Sequence, residues 1–434
     1  MSISKNYDIG SKVLGTGGFG SVTLGKDIVS GSPVAVKTVS KKHFDQAEVH
    51  MLRELNTVHT IRYRHDFEVL DPAKPEDDKH VIVMDLVAGR DILATYYAKT
   101  TGEKLSLAEI RTIAYQLFEF LAELEEKNVA YIDLKPENMI YQKSCRNLTV
   151  VDLGTAYQIG TEYGRKTGAS PYYAAPDYLL GKPFTTGFDL WSAGCTFYSM
   201  VCSKYLFEVK PDSNAREKFE QVLQQIVEQI GPPSANYLKD GKKSHECFDQ
   251  DLKLKKTWPS ETPFVHWQEN FLTGLEQLGA TAEEKTQWLD LMKMLLSYEN
   301  RGSAKAHLDR PLFQSEMKVH LEYDPKCRCK MYMQRLELLE KHIDLTPLSD
   351  IKEFDYKANF RIDKSCCIHL PESATGKYAI FLELNNRVVS GTVTLQKGNT
   401  LNIRNLQENL VTPVQVEIVD EGEPDQKKTK TEAE

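Results

Sequence analysis

The chain has 434 residues, 41% hydrophobic and 27% charged, with a formal net charge of −8. That length exceeds one small domain and suits a two-lobed domain of roughly 250–300 residues with an appendage. The acidic balance excludes a broad basic field for nucleic acid or an anionic membrane, and no run reaches the ~18 apolar residues of a membrane span.

Residues 1–5 lack the apolar core of a secretory signal. Of eight cysteines, four are scattered and four form the close pairs Cys327/Cys329 and Cys366/Cys367, which is no disulfide framework. Free thiols in a reducing cytoplasm are the expectation.

In chain order, residues 7–39 alternate as strands around a glycine-rich turn, and 44–57 carry Met51, Leu52 and Leu55 at helical spacing. Apolar strands at 67–70 and 80–86 flank the turn-rich 71–75. A long amphipathic helix is predicted over 106–127, opened by Ser106 with Glu109 three residues on, the pattern of a capping box. Helical periodicity resumes at 187–202, 215–230, 282–296 and 331–343. Beyond about 350, short β-branched runs (354–370, 378–384, 387–396, 400–405 and 411–419) alternate with turns, and the charged 421–434 predicts a disordered tail.

Gly15-x-Gly17-x-x-Gly20-x-Val22 joins two strands instead of leading into a helix, which argues against a dinucleotide fold. Glycines let a backbone approach phosphate oxygens where side chains would collide, and Val22 offers an apolar face to a base. Lys37 follows on the next strand. Its expected partner is Glu48, with Glu54 as the competing carboxylate. Glu48 sits nearer the apolar stripe of its helix.

These features continue downstream into a set that resembles the eukaryotic protein kinases. Tyr131-Ile132-Asp133-Leu134-Lys135-Pro136-Glu137-Asn138 resembles the catalytic loop and Asp152-Leu153-Gly154 the metal-binding D-F-G. Ala175-Pro176-Asp177 stands where the family has A-P-E, and the run 189–194 resembles the buried helix that follows. The resemblance implies an α+β, bilobal fold with a small β-rich lobe and a helical lobe. It implies Asp133 as the base that orients the substrate hydroxyl, Lys135 neutralising the phosphoryl in transit, and Asn138 and Asp152 holding Mg²⁺. ATP would lie among Leu14, Gly15, Gly17, Gly20, Val22, Ala35, Lys37, Glu48, Met84, Asp85 and Val87. Met84 guards the back of that pocket, and the backbone from Asp85 to Val87 reads adenine. Ser170 occupies the family's hydroxyl position that bonds the catalytic aspartate.

The expected layout is a kinase domain over 7–315, a helical linker over 316–352, a small all-β domain over 353–420 and the tail. The chain departs from the family at Tyr131-Ile132, where histidine and arginine are usual, and at Asp177, whose expected buried partner is Arg301. Isoleucine cannot receive an activation-loop phosphate, so a serine/threonine kinase active without that phosphate is expected. The hydroxyls of Thr155, Tyr157, Thr161, Tyr163 and Thr167 are read as solvated surface groups, with Arg165 and Lys166 beside them. The stretch 231–285 exceeds what a minimal kinase needs. Protein substrates, and a protein partner for the β domain, are the expected ligands. A pseudokinase scaffold is the alternative.

Overall fold

The computed structural model describes all residues except 1–5, 18–19, 56, 58, 71–73, 75–77, 88, 97–103, 143–146, 162–167, 259–265, 315–316, 324–326, 336–355, 363–364, 371–375, 385–386, 396–398, 407–414 and 421–434. Two units separate, residues 1–142 with 148–310 and residues 143–147 with 311–434.

The first unit begins with a five-stranded antiparallel sheet of β1 (Tyr7–Gly17), β2 (Gly20–Asp27), β3 (Pro33–Ser40), β4 (Tyr63–Val69) and β5 (Lys79–Asp85), ordered β1-β2-β3-β5-β4. Alternation drives it. Val34, Val36, Val81 and Val83 form one buried cluster with Tyr7, and Phe67 packs on its edge. Helix α1 (Gln46–Glu54) is capped by Asp45, whose carboxylate accepts from Ala47 N at 2.9 Å. Its Val49, Met51 and Leu52 are fully buried, each contributing ~1.5–3 kcal/mol of burial.

The helical half follows. The helix Leu107–Glu126 opens with the predicted capping box, Ser106 Oγ accepting from Glu109 N at 3.2 Å and Glu109 Oε2 from Ser106 N at 2.8 Å. Helix Gly187–Cys202 runs through the interior, buried from Phe188 to Val201. A charge on it, Asp189, is therefore held inside, with a job considered below. Around these lie helices Ala215–Ile230, Trp267–Gln277 and Ala282–Leu295. Cys195, Cys202 and Cys247 are free thiols, and no described helix is long and apolar enough to cross a membrane.

The second unit departs from the sequence reading. The stretch taken as a helix over 331–343, and with it the helical linker over 316–352, contains strands Met317–Tyr323 and Cys327–Arg335. Each is an internal strand of a four-stranded sheet. One sheet runs Ser365–Leu370, Met317–Tyr323, Asn399–Leu406, Gln415–Asp420; the other runs Tyr356–Ile362, Cys327–Arg335, Gly376–Leu384, Arg387–Leu395. Met331, Tyr332 and Met333 pair with Ala358, Lys357 and Tyr356 on one side and with Leu382, Phe381 and Ile380 on the other. Ladder pairing on both edges outweighs a helical spacing of apolar residues. The rest of the linker and the tail 421–434 lie outside the described residues.

Candidate active site

Strand β3 places Lys37 with its side chain 11% exposed, and α1 places Glu48 against it. Lys37 Nζ donates to Glu48 Oε1 at 2.5 Å and to Asp152 Oδ1 at 2.8 Å. Glu48, not Glu54, is the carboxylate brought to the lysine. Burial alone would lower the ammonium's pKa, but the two carboxylates outweigh it and hold it above the usual lysine range. Burial pushes Asp152 upward, and the Lys37 charge and hydrogen bond overcome that and keep it below the ordinary aspartate range. Gly154 makes room for the cluster, since a Cβ there would sit 3.1 Å from Asp152 Oδ1 and 3.3 Å from Glu48 Oε2.

The catalytic-loop residues converge on Asp133. Lys135 Nζ donates to Asp133 Oδ2 at 2.6 Å and to Ser170 Oγ at 2.9 Å, while Ser170 N donates to Asp133 Oδ1 at 2.9 Å. Ser170 thus holds the aspartate through its backbone, and its hydroxyl takes the lysine. The expected hydroxyl–aspartate bond is not the one formed, because the ammonium sits between the two oxygens. Asn138 Nδ2 donates to Asp133 O at 3.0 Å, so Oδ1 is the amide atom left for a cation. Asn138 O accepts from Val151 N at 2.8 Å, which keeps Asn138 beside the strand end that presents Asp152.

Two residues here carry positive φ, Ile132 at 74° and Asp152 at 60°. For a β-branched residue this is an outlier, costing on the order of 1–3 kcal/mol. Asp189, expected only as part of a buried helix, holds the strained turn. Its carboxylate accepts from Tyr131 N at 2.7 Å and Ile132 N at 2.8 Å. Burial pushes its pKa up to about 7, against those two bonds. Tyr131 fills the place of the family's histidine, fully buried, edge-on to Phe120 at 5.9 Å, its hydroxyl donating to Val151 O.

Nucleotide-side residues divide. A Cβ on Gly15 would meet nothing within 4 Å, which suits a backbone left open to a ligand. On Gly20 it would meet Thr38 O at 2.2 Å, so that glycine is also required by strand packing. Gly17 ends β1, paired with Gly20. Leu14 is exposed, Val22 half-buried, and Ala35 and Met84 are buried opposite one another on β3 and β5. The side chain of Asp85 accepts from Arg64 Nε at 2.5 Å, and Arg64 Nη1 also donates to Asp27 Oδ2 at 3.2 Å. Asp85 N donates to Arg62 O at 2.9 Å, and Val87 is half-buried just beyond.

Of the downstream hydroxyls read as surface groups, two are internal. Thr155 Oγ1 donates to Tyr131 O at 3.0 Å and Tyr157 OH to Thr161 O at 2.5 Å, both residues buried. Thr161 Oγ1 donates to Gln158 O at 2.8 Å. Tyr163, Arg165, Lys166 and Thr167 lie outside the described residues. Asp177 is bound by Arg301 Nη2 at 2.6 Å.

The family model for the protein kinase domain matches residues 9–313, more than half of the chain. The chain belongs to the protein kinase family. ATP and a divalent metal ion are general requirements of that domain. Asn138 and Asp152 fit such an ion, since Mg²⁺ is commonly held by one or two protein oxygens together with substrate phosphates. Among the described residues no group of three His, Cys, Asp or Glu forms a self-sufficient metal site.

The kinase domain is similar to the SNF1-related protein kinase catalytic subunit alpha KIN12 of Arabidopsis thaliana, 29% identical over 225 residues, 51% of this chain and 44% of the relative. It is also similar to extracellular signal-regulated kinase 1 of Dictyostelium discoideum, 29% identical over 246 residues, 54% and 44% of the two chains. The maternal embryonic leucine zipper kinase of Xenopus tropicalis aligns further, 25% identical over 350 residues, 73% of this chain and 51% of the relative. The chain thus spans about half the length of the curated relatives it matches.

Proposed function

We propose that this chain is a serine/threonine protein kinase that uses ATP and Mg²⁺ and needs no activation-loop phosphate. The observation that carries this is the pair of ammonium-centred clusters, Lys37 between Glu48 and Asp152 and Lys135 between Asp133 and Ser170. A scaffold has no use for both. Phosphoryl transfer is largely positioning and charge neutralisation, and these residues divide those tasks. Lys37, fixed by Glu48, grips the nucleotide phosphates. Asn138 and Asp152 would hold the divalent cation, which supplies neutralisation of phosphate charge when bound.

Asp133 orients the acceptor hydroxyl and takes its proton as the hydroxyl oxygen bonds to the γ-phosphorus and the bond to the β-phosphate oxygen breaks, releasing ADP. Lys135 stands against the charge on the transferring group. The loop is held by Asp189, Thr155 and packing, which supports a geometry assembled without a phosphate. The serine/threonine assignment rests on Lys135 two residues past Asp133. The strand-rich second unit is proposed as a separate module for a protein partner, and the cytoplasm as the location.

The test is incubation with γ-labelled ATP, Mg²⁺ and generic protein acceptors, comparing wild type with Asp152→Asn. Label on serine and threonine, lost in the variant, is the expected result. Wild type that binds Mg·ATP yet labels no acceptor, itself included, makes the chain a pseudokinase scaffold.

A further inference from the structure

A groove of about 1230 Å³ opens beside the active site, between the segment that follows Asp152, the turn after helix Pro176–Leu179, and helix Ala215–Ile230. It exceeds the ~300–1,000 Å³ of most small-molecule pockets. Its floor is aromatic. Phe184 touches Tyr157 at 5.2 Å, Phe188 at 5.2 Å and Tyr178 at 6.3 Å, and Tyr178 touches Phe219 at 5.8 Å.

Its walls are basic. Lys182, Arg216, Lys218, Lys242, Lys243 and Lys256 line it against only Glu220 and Glu246, on a chain whose net charge is −8. Both acids are already engaged, Glu220 by Arg216 at 3.0 Å and Lys256 at 2.7 Å, and Glu246 by Arg216 at 3.6 Å. Lys218, Lys242 and Lys243 have no ion-pair partner among the described residues, and the last two are exposed. A basic rim over an apolar floor is not a solvated face. It asks for negative charge and a hydrophobic anchor together.

We infer that this groove docks an acidic segment of the protein substrate that carries a bulky apolar side chain. Two segments of the chain fit poorly, whereas 336–355, with Glu337, Glu340, Asp344, Asp350 and Glu353 among leucines, shares this chemistry. Its occupancy of the groove is read as the no-binding outcome below. The intervening residues 162–167 bring Arg165 and Lys166, which repeat the charge of the walls. The tail 421–434 is acidic at Glu421, Glu423 and Asp425 but offers only Pro424 and Ala433 as apolar side chains, with no aromatic or branched aliphatic one. A single-stranded nucleic acid also matches basic walls over aromatic rings, by base stacking. A protein segment is preferred because the chain carries a protein kinase domain, and the thymidylate probe below tests that choice. Position argues for a substrate. Ala169 and Pro171 line the groove, and Ser170 between them is bonded to Asp133 at 2.9 Å. An occupant therefore lies against the segment that holds Asp133, although Asp133 and Ser170 do not themselves line the groove. Its role as substrate rests on the kinase reading; its binding does not.

The experiment uses the full chain without ATP and reads fluorescence anisotropy of a labelled octapeptide of six glutamates around one phenylalanine and one leucine. Companion probes replace the glutamates with lysines, or the two apolar residues with glycines, and an oligothymidylate serves as a polyanion. Only the first probe binds under this proposal, and Lys242→Glu with Lys243→Glu weakens it by ~10-fold or more, the scale of lost charge complementarity at an interface.

A kinase assay adds a second readout. The double variant raises KM for an acceptor fused to the acidic segment and leaves a short acceptor without it unaffected. No binding, equal binding of the lysine, glycine or thymidylate probes, or indifference to the charge reversal overturns the proposal. Charge-dependent binding in a protein that transfers no phosphate supports the groove and overturns the kinase reading.

Discussion

Two buried ion pairs in the first unit look alike and behave differently. Arg301 and Asp177 are 6% and 11% exposed, and the guanidinium is used up, donating also to Ser297 O at 2.7 Å and Gly187 O at 3.0 Å. Lys37 and Glu48 are as deeply placed, at 11% and 10%, but the lysine has a second carboxylate, and that one, Asp152, has a side chain 49% exposed. The first arrangement is electrically closed. The second has two carboxylates for one ammonium and an opening to solvent, which leaves negative charge available to a cation. A buried pair is weak evidence of function by itself. An unbalanced one with an exit is stronger evidence, since its surplus has to be met by something outside the fold.

The comparison can be broken by exchanging the effects. Asp133→Asn and Lys37→Met should each reduce phosphoryl transfer by ~10²–10⁴. Asp133→Asn should lower the melting temperature far less than Arg301→Met, because the amide oxygen still accepts from Ser170 N and only the part-exposed Lys135 contact is lost. Steady-state kinetics beside calorimetry checks this. Arg301→Met should do the reverse, costing ~3–5 kcal/mol of stability by stranding Asp177, read by urea denaturation. If Arg301→Met spares stability and abolishes transfer, the division between closed and open pairs is wrong.

His307 sharpens the closed side. It is 1% exposed, faces Arg301 O at 2.7 Å and Arg310 Nε at 3.0 Å, and packs on Phe118. These partners fit a neutral ring, Nε2–H donating to the carbonyl and Nδ1 accepting from arginine. Burial lowers its pKa to about 4, against ~6.5 unfolded. Between those values the unfolded chain binds the extra proton, so the contribution of His307 is full above pH ~6.5 and falls as pH drops toward 4, by about 3 kcal/mol. Asp189, raised to about 7, acts in the opposite sense over the same range, so the readout is the difference between wild type and His307→Gln. Urea curves at pH 7 and pH 4.5 should show wild type losing more stability on acidification than the variant.

Chain length tests the second unit. Ending the chain near residue 314 should leave transfer intact. Ending it near 352 strands Met317–Tyr323 and Cys327–Arg335, internal strands without their neighbours, and should give aggregates in light scattering. The smallest effect expected is that of phosphatase treatment, or of Thr161→Ala with Thr167→Ala. Activity should not change, and a loss of ~10²-fold would make an activation-loop phosphate necessary after all.

Much of the candidate site's arrangement was legible because its residues lie close in the chain. Asp133, Lys135 and Asn138 fall within six residues, and the Lys37–Glu48 pair follows from one strand and one adjacent helix face. Ser106 and Glu109 announced a helix start for the same reason, since a cap is a local bond. What was not legible depended on distant partners. Met331 reads as helical from its neighbours and becomes a strand residue through Ala358 and Leu382.

The strained Ile132 is held by an aspartate 57 positions away. The aromatic groove gathers Tyr157, Tyr178, Phe184 and Phe219 from separate elements, with no spacing to mark them. Local order, capping and motif chemistry were thus determined by the sequence alone, because those interactions span a few residues. Strand pairing, the Asp189 anchor, the choice of Ser170 N over its hydroxyl and the charge balance at Asp152 were decided only by the tertiary structure, because each depends on which remote group arrives at hydrogen-bonding distance.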